Sequence, residues 1–168
     1  MITFLKNKRM LILSVILLIA ALYWTYFIFS MSLKSAEESS AMSVGFLTRI
    51  LKYIHKMLWF DIEFGVLHHF IRKFAHFTEY AILGILSVGF VKSIKSRPIY
   101  SLIYCLFIGI FDEILQFLNA SGRAMQIKDM ALDFCGSVFG TFVFYFISFL
   151  VFTITKKRIK KEKMEHTF

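Results

Sequence analysis

The chain has 168 residues, 58% of them hydrophobic and 18% charged, with a single proline and a positive mean hydropathy. A soluble domain of this length could not cover so much apolar surface with so few charges, so lipid is the solvent the composition implies. The net charge of +9 raises nucleic acid as a partner, but its distribution excludes that class: most of it lies in short clusters beside apolar runs, the pattern of topology signals and anionic-lipid contact.

A hydrocarbon core about 30 Å thick takes roughly 20 helical residues to cross. Four stretches qualify, at about 10–29, 70–91, 99–118 and 130–153. Ahead of the first stand Lys6, Lys8 and Arg9, as in a cleaved signal peptide. Its apolar run exceeds a signal core and Ser30-Met31-Ser32 is a weak cleavage site, which favours an uncleaved anchor.

The segment from about 31 to 69 comes next. Ser35-Ala36-Glu37-Glu38 reads as a capping box, a hydroxyl for orphan N–H groups and a carboxylate reaching back. Val44, Leu47, Ile50, Leu51, Ile54, Met57 and Leu58 then recur at helical spacing, with Thr48, Arg49, Lys52 and His55 opposite. This amphipathic helix, ending near Trp59 and Phe60, lies along the membrane surface or closes over the bundle as a lid.

Pro98 suits the first turn of the third helix, where its missing N–H costs little. The fourth span runs into the basic tail 156–168. Four spans put both termini and the Lys92–Pro98 loop on one side with twelve Lys/Arg, against eight on the other. The positive-inside rule makes the first side cytoplasmic. The expected fold is all-α: one membrane domain over 1–168, a four-helix bundle with an extracytoplasmic amphipathic helix between the first and second spans. Cys105 and Cys135 fall inside apolar segments, read as inert core thiols with no disulfide framework or metal motif.

With that topology the polar residues of the spans gather in the outer half of the bilayer. The second helix brings Arg72, Lys73, His76 and Glu79, of which Arg72, His76 and Glu79 share a stripe with Leu83. From the third come Asp112, Glu113 and Gln116, followed by Asn119, with Arg123 in the outer loop. Lys128, Asp129 and Asp133 open the fourth helix, and Gly136 and Gly140 follow on the same face at the GxxxG spacing that lets helices approach closely. Charges at this depth cost something like 2–3 kcal/mol each at mid-membrane, so they should face one another or water. Arg72 and Arg123 can pair with Asp112, Glu113, Asp129 or Asp133, and His76 with Glu79. Hydrogen-bonded glue between helices needs some such groups, but a cluster from three helices points to a functional site.

The same positions resemble the VanZ-like family of bacterial membrane proteins. The matching pieces, over about Ile71–Gly140, are Lys73-x-x-His76-Phe77-x-Glu79-Tyr80-x-x-Leu83, Asp112-Glu113-x-x-Gln116, Gly122-Arg123 and Asp129-x-x-x-Asp133-x-x-Gly136-x-x-x-Gly140. Leu115 stands where a His often precedes the Gln, and Asn119-Ala120-Ser121 replaces a Pro-containing approach to Gly-Arg. The resemblance implies a role in tolerance of teicoplanin-type glycopeptide antibiotics and, by extension, in the cell envelope. It supplies no mechanism.

Three functions fit the residues. An outer-leaflet site could bind or modify an anionic headgroup, such as that of a lipid-linked cell-wall precursor. Arg72, Lys73 and Arg123 would hold a phosphate or carboxylate, with Gln116, Asp129 and Asp133 completing the binding set. His76 with Glu79 would act as base, and Asp112 or Glu113 as acid. Metal-assisted hydrolysis is the second: Glu79, Asp112, Glu113, Asp129 and Asp133 are hard oxygen ligands for a divalent cation, with His76 a nitrogen ligand, though no tight zinc signature is present. The chain lacks the motifs of an acid-phosphatase-type lipid phosphatase. The third class is non-enzymatic binding, shielding or assembly; four helices without an inverted repeat are few for a transporter.

Overall fold

Ile12, Leu13, Val15, Ile16, Leu18 and Ile19 follow one another with scarcely a polar break, and a backbone in lipid must satisfy its own hydrogen bonds. A helix is the result. The computed structural model describes residues 2–34, 44–45, 64–119 and 127–165. Its helices are α1 (Ile2–Ser32), α2 (Phe64–Ser93), α3 (Ile99–Asn119) and α4 (Ile127–Glu165). All four contain a stretch long and apolar enough to cross a membrane: Lys8–Ser32, Gly65–Ser93, Ile99–Leu118 and Ile127–Ile159. The fold is all-α, as expected, and consistent with a four-helix transmembrane bundle. The capping box and most of the outer segment fall outside the described residues, while Met31, Ser32 and residues 64–69 at its two ends belong to α1 and α2.

Helices α1, α2 and α4 overrun the apolar stretches that announced them. Hydropathy stops at the first cluster of charges, whereas the helical backbone continues through Lys, Arg and Glu, which are good helix formers. Helix α2 ends on a definite stop. Ser96 N–H bonds the Val91 carbonyl at 2.9 Å and Lys95 N–H bonds that of Lys92 at 3.0 Å, a Schellman closure. Lys95 holds the left-handed position at φ 57°, where glycine is usual. Pro98 then opens α3, its carbonyl accepting from Ser101 N–H at 3.0 Å.

Alternation up and down the bundle is read from its contacts. A Cβ on Gly89 would meet Leu17 of α1, while Trp24 Nε1 donates to the Glu79 carbonyl at 2.8 Å, so α1 and α2 run antiparallel. Thr25 and Tyr104 hydroxyls share a 2.7 Å hydrogen bond and Ser32 bonds Asp112, so α1 and α3 run parallel. Helix α2 touches the other three and carries much of the buried core, including Tyr80, Leu83 and Val88, each 0% exposed. Against it α1 contributes Ile28 and α3 contributes Cys105. Removing α1 by cleavage would strip Trp24, Thr25 and Ile28 from that core. Trp24→Phe is expected to lower bundle stability by about 1 kcal/mol through the lost indole hydrogen bond, measurable as a drop in thermal midpoint in detergent.

The tightest junction is α2 against α4, two parallel helices. A Cβ on Gly136 would meet the Phe77 carbonyl, one on Gly140 the Ala81 carbonyl, and one on Gly84 the Ser137 carbonyl. The small-residue face read from Gly136 and Gly140 is therefore buried, with Gly84 answering it from α2. Lys92 closes the far end, its ammonium 4.8 Å from the Tyr145 ring centroid and 5.4 Å from that of Phe144, within cation–π range.

Outward surfaces are apolar: Tyr26, Phe107, Phe142, Phe149 and Phe152 are among many exposed large side chains. In water such a surface would drive aggregation; in a bilayer it is the lipid contact. Cys105 is buried as expected, but Cys135 is exposed on α4. Its place in an apolar run did not imply the core because most of a membrane helix's apolar residues face lipid.

Candidate functional site

Where α1 and α3 end and α2 and α4 begin, the bundle holds its polar side chains. Asp112 lies about two turns before the end of α3 and Asp133 under two turns into α4, each therefore roughly 10 Å from its helix end. Helix register brings them together, and α2 adds His76. One ligand-capable atom from each of His76, Asp112 and Asp133 lies within 4.8 Å of the others. Both carboxylates are buried, Asp112 at 1% and Asp133 at 2% exposure.

Asp112 is held from two sides. Ser32 Oγ at the end of α1 donates to Oδ1, and Gln116 Nε2, one turn along α3, donates to Oδ2 at 3.0 Å. Gln116 Nε2 also lies 3.4 Å from Ser32 Oγ, tying the three together. Asp133 is held less. Its Oδ1 is 4.0 Å from His76 Nδ1, beyond hydrogen-bond reach, and has no hydrogen-bond partner among the described residues. Tyr80 is another orphan: fully buried, its hydroxyl sits beside Asp112 without reaching hydrogen-bond geometry. Gly109 of α3 packs against it at ordinary distance, since a Cβ there would lie 3.6 Å from the Tyr80 ring and 3.8 Å from Asp133 Cβ.

One turn nearer the bundle end, Lys73 Nζ and Asp129 form an ion pair, each side chain about a quarter exposed. The site thus has two layers: a lysine–aspartate pair at the rim, and below it a histidine with two aspartates. Glu113 is buried beside Asp112 on α3, and Glu79 is partly buried on α2, next to Tyr80.

The sequence-derived site residues are placed as follows. His76, Asp112 and Asp133 converge, with Gln116 fixing Asp112. Lys73 and Asp129 pair with each other. The acidic partners brought to His76 across the helices are Asp133 and Asp112, not only the Glu79 expected from its own helix. Arg72 is partly buried and forms no ion pair with a described residue. Arg123 and the Asn119 side chain lie outside the described residues. Ser32 was not anticipated: one serine at the end of an apolar run carries no signal until α1 is set against α3. Tyr80 stood in the motif, but nothing in its spacing announced a hydroxyl aimed at a carboxylate.

The donor set suits a hard divalent cation: two carboxylates, one imidazole and a nearby phenol. Adjacent ligands in an octahedral shell with bonds near 2.1 Å stand about 3 Å apart, so a bound ion would draw the three groups slightly inward. Ser32 and Gln116 supply the outer contacts that orient a ligating carboxylate. Ser32→Ala is expected to weaken divalent-cation affinity about tenfold and to cost about 1–2 kcal/mol in bundle stability; titration calorimetry and a thermal melt read the two effects separately.

No curated protein and no solved structure matches the chain. The model of the family described as VanZ/LLP1 matches residues 16–153, a range that takes in most of α1, all of α2 and α3, and the α4 residues that build this polar cluster. The chain belongs to the VanZ-like family.

Proposed function

We propose that this protein holds a divalent cation between His76, Asp112 and Asp133 and through it engages an anionic, lipid-linked headgroup at the outer face of the cell membrane. The observation that carries the reading is the convergence of three ligand-capable side chains from three helices within 4.8 Å. Charge decides how a headgroup would be held. Lys73 is already paired with Asp129, and the centre of the cluster is acidic. A phosphate or carboxylate would be repelled by Asp112 and Asp133 unless a cation stood between them. The metal-assisted reading therefore has more support than direct capture by basic side chains.

The outer face follows from the twelve Lys/Arg at the opposite end of the bundle against eight at this one, which also puts both termini in the cytoplasm. Wall precursors are displayed at that face and glycopeptides act there, in keeping with the teicoplanin tolerance the family resemblance implies. In a hydrolytic cycle the cation would polarise a phosphoryl oxygen, with Glu79 taking a proton from water. The depth of Asp112 and Asp133 favours a second reading, in which the site binds and shields the headgroup without turnover.

The test uses purified full-length protein in vesicles containing a polyprenyl diphosphate, with Mg²⁺ or Mn²⁺. Saturable, metal-dependent binding that is lost in Asp112→Asn is the expected result, and release of phosphate separates hydrolysis from shielding. Binding unchanged by chelator would sink the metal reading. In cells, deletion is expected to raise teicoplanin susceptibility, with wild type but not Asp112→Asn restoring tolerance.

A further inference from the structure

At the other end of the bundle α1, α2 and α3 leave a cleft of about 320 Å³ between them. That is near the lower end of small-molecule sites, about 300–1,000 Å³. Its floor is buried: Ala21 of α1 at 4% exposure, Ser87 and Val91 of α2 at 3% and 8%, and Ser101 of α3 at 0%. Leu22 and Tyr100 stand at its edge, 54% and 55% exposed, so the cleft opens sideways, toward lipid. The only polar spot on its floor is satisfied internally, because the Ser87 and Ser101 hydroxyls share a 2.7 Å hydrogen bond. A wall of this kind takes a hydrocarbon chain and offers little to a polar one.

The mouth has a different chemistry. Ile94 and Ser96, which line the cleft, belong to the turn joining α2 to α3. Between and beyond them stand Lys95 and Arg97, both exposed. Lys92 is not part of this mouth, since its ammonium is turned to the α4 rings. An apolar shaft at hydrocarbon depth under two exposed cations has the charge pattern of an anionic phospholipid, acyl chain in and phosphate out. Lys95 adds a further point: it occupies a left-handed backbone position where glycine would be unstrained, so a cation stands where conformation alone would not put one.

We propose that this cleft seats one acyl chain of an anionic phospholipid from the leaflet on the side of the α2–α3 turn, with Lys95 and Arg97 holding its phosphate. The occupant is independent of the His76 cluster, which lies at the opposite end of the bundle.

Native mass spectrometry of the full-length protein, released from detergent after exchange with phosphatidylglycerol or phosphatidylcholine, tests it. One phosphatidylglycerol should remain bound where phosphatidylcholine is lost. Each basic residue near a membrane surface contributes roughly fivefold, so Lys95→Gly with Arg97→Gln should lower retention by about twenty-five-fold. Lys95→Gly relaxes the backbone while removing the charge, so a folding defect would not explain the loss. Leu22→Trp should narrow the opening and reduce retention of the chain whatever its headgroup. Equal retention of the two lipids, retention unchanged in the variants, or a Leu22→Cys protein that cross-links to a second copy through this cleft would each overturn the proposal.

Discussion

Gly140→Leu is expected to separate α4 from α2 and cost at least 3–5 kcal/mol, enough to unfold the bundle in mild detergent. The reason is the partner. A Cβ at Gly140 would fall on the backbone of Ala81, and backbone cannot rotate aside as a side-chain tip can. Gly84 makes the mirror contact, its Cβ meeting the Ser137 carbonyl, so even Gly84→Ala should be clearly destabilising. Two other glycines set the scale. Gly65 has nothing within 4 Å, and Gly109 has only ordinary contacts of 3.6–3.8 Å. Alanine at Gly65 should change stability by no more than about 0.5 kcal/mol. Thermal melts of the purified variants, followed by size-exclusion chromatography, give the ranking. If Gly140→Leu melted with Gly65→Ala, the close approach of α2 to α4 would be wrong.

The consequence reaches the site. Asp133 lies only one turn before Gly136 and Ser137 on α4, and Tyr80 lies one residue before Ala81 on α2. The glycine face that lets the two backbones meet therefore also sets how far Asp133 stands from His76. A bundle loosened at Gly140 should lose divalent-cation affinity before it loses its helices, because ligand spacing is more sensitive to helix separation than secondary structure is.

What the sequence disclosed follows the kind of information each feature needs. A membrane span is a one-dimensional property, length times hydropathy, and the four apolar runs were legible for that reason. The GxxxG spacing of Gly136 and Gly140 marked the right face of α4 because the signal repeats on one helix. Gly84 was silent: a single glycine in α2 acquires meaning only when α4 is laid against it. The polar residues were legible as a set, since charges inside apolar helices are conspicuous wherever they point. Their pairing was not. Stripe geometry offers His76 its neighbour Glu79 on the same helix, whereas only the register between α2 and α4 shows that Asp133 also stands beside it. Lys73 takes Asp129 for the same reason. Ser32 and Trp24 were invisible because each acts on a group of another helix, Asp112 and the Glu79 carbonyl.

Asp133→Asn should move stability in opposite directions with and without metal, and that reversal separates a cation site from helix glue. At a pH alkaline enough to ionise both, two carboxylates with oxygens no more than 4.8 Å apart repel by about 3 kcal/mol at an effective dielectric of 20. Asp133 Oδ1 has no hydrogen bond among the described residues to lose. An amide of the same shape therefore removes repulsion at little cost, and the metal-free variant should be more stable than wild type by about 1–3 kcal/mol. Wild type should then gain about 2.7 kcal/mol when Mn²⁺ is raised to a hundred times its dissociation constant, while Asp133→Asn gains almost nothing. Mn²⁺ titration followed by electron paramagnetic resonance reports the binding directly, and melts with and without chelator report the linkage. His76→Ala adds a check, because it removes a ligand without relieving the carboxylate pair: it should weaken metal binding and leave the metal-free protein no more stable. If Asp133→Asn instead destabilises the metal-free bundle and Mn²⁺ shifts neither protein, Asp112 and Asp133 are architecture, held by Ser32, Gln116 and their neighbours to join helices rather than to hold an ion.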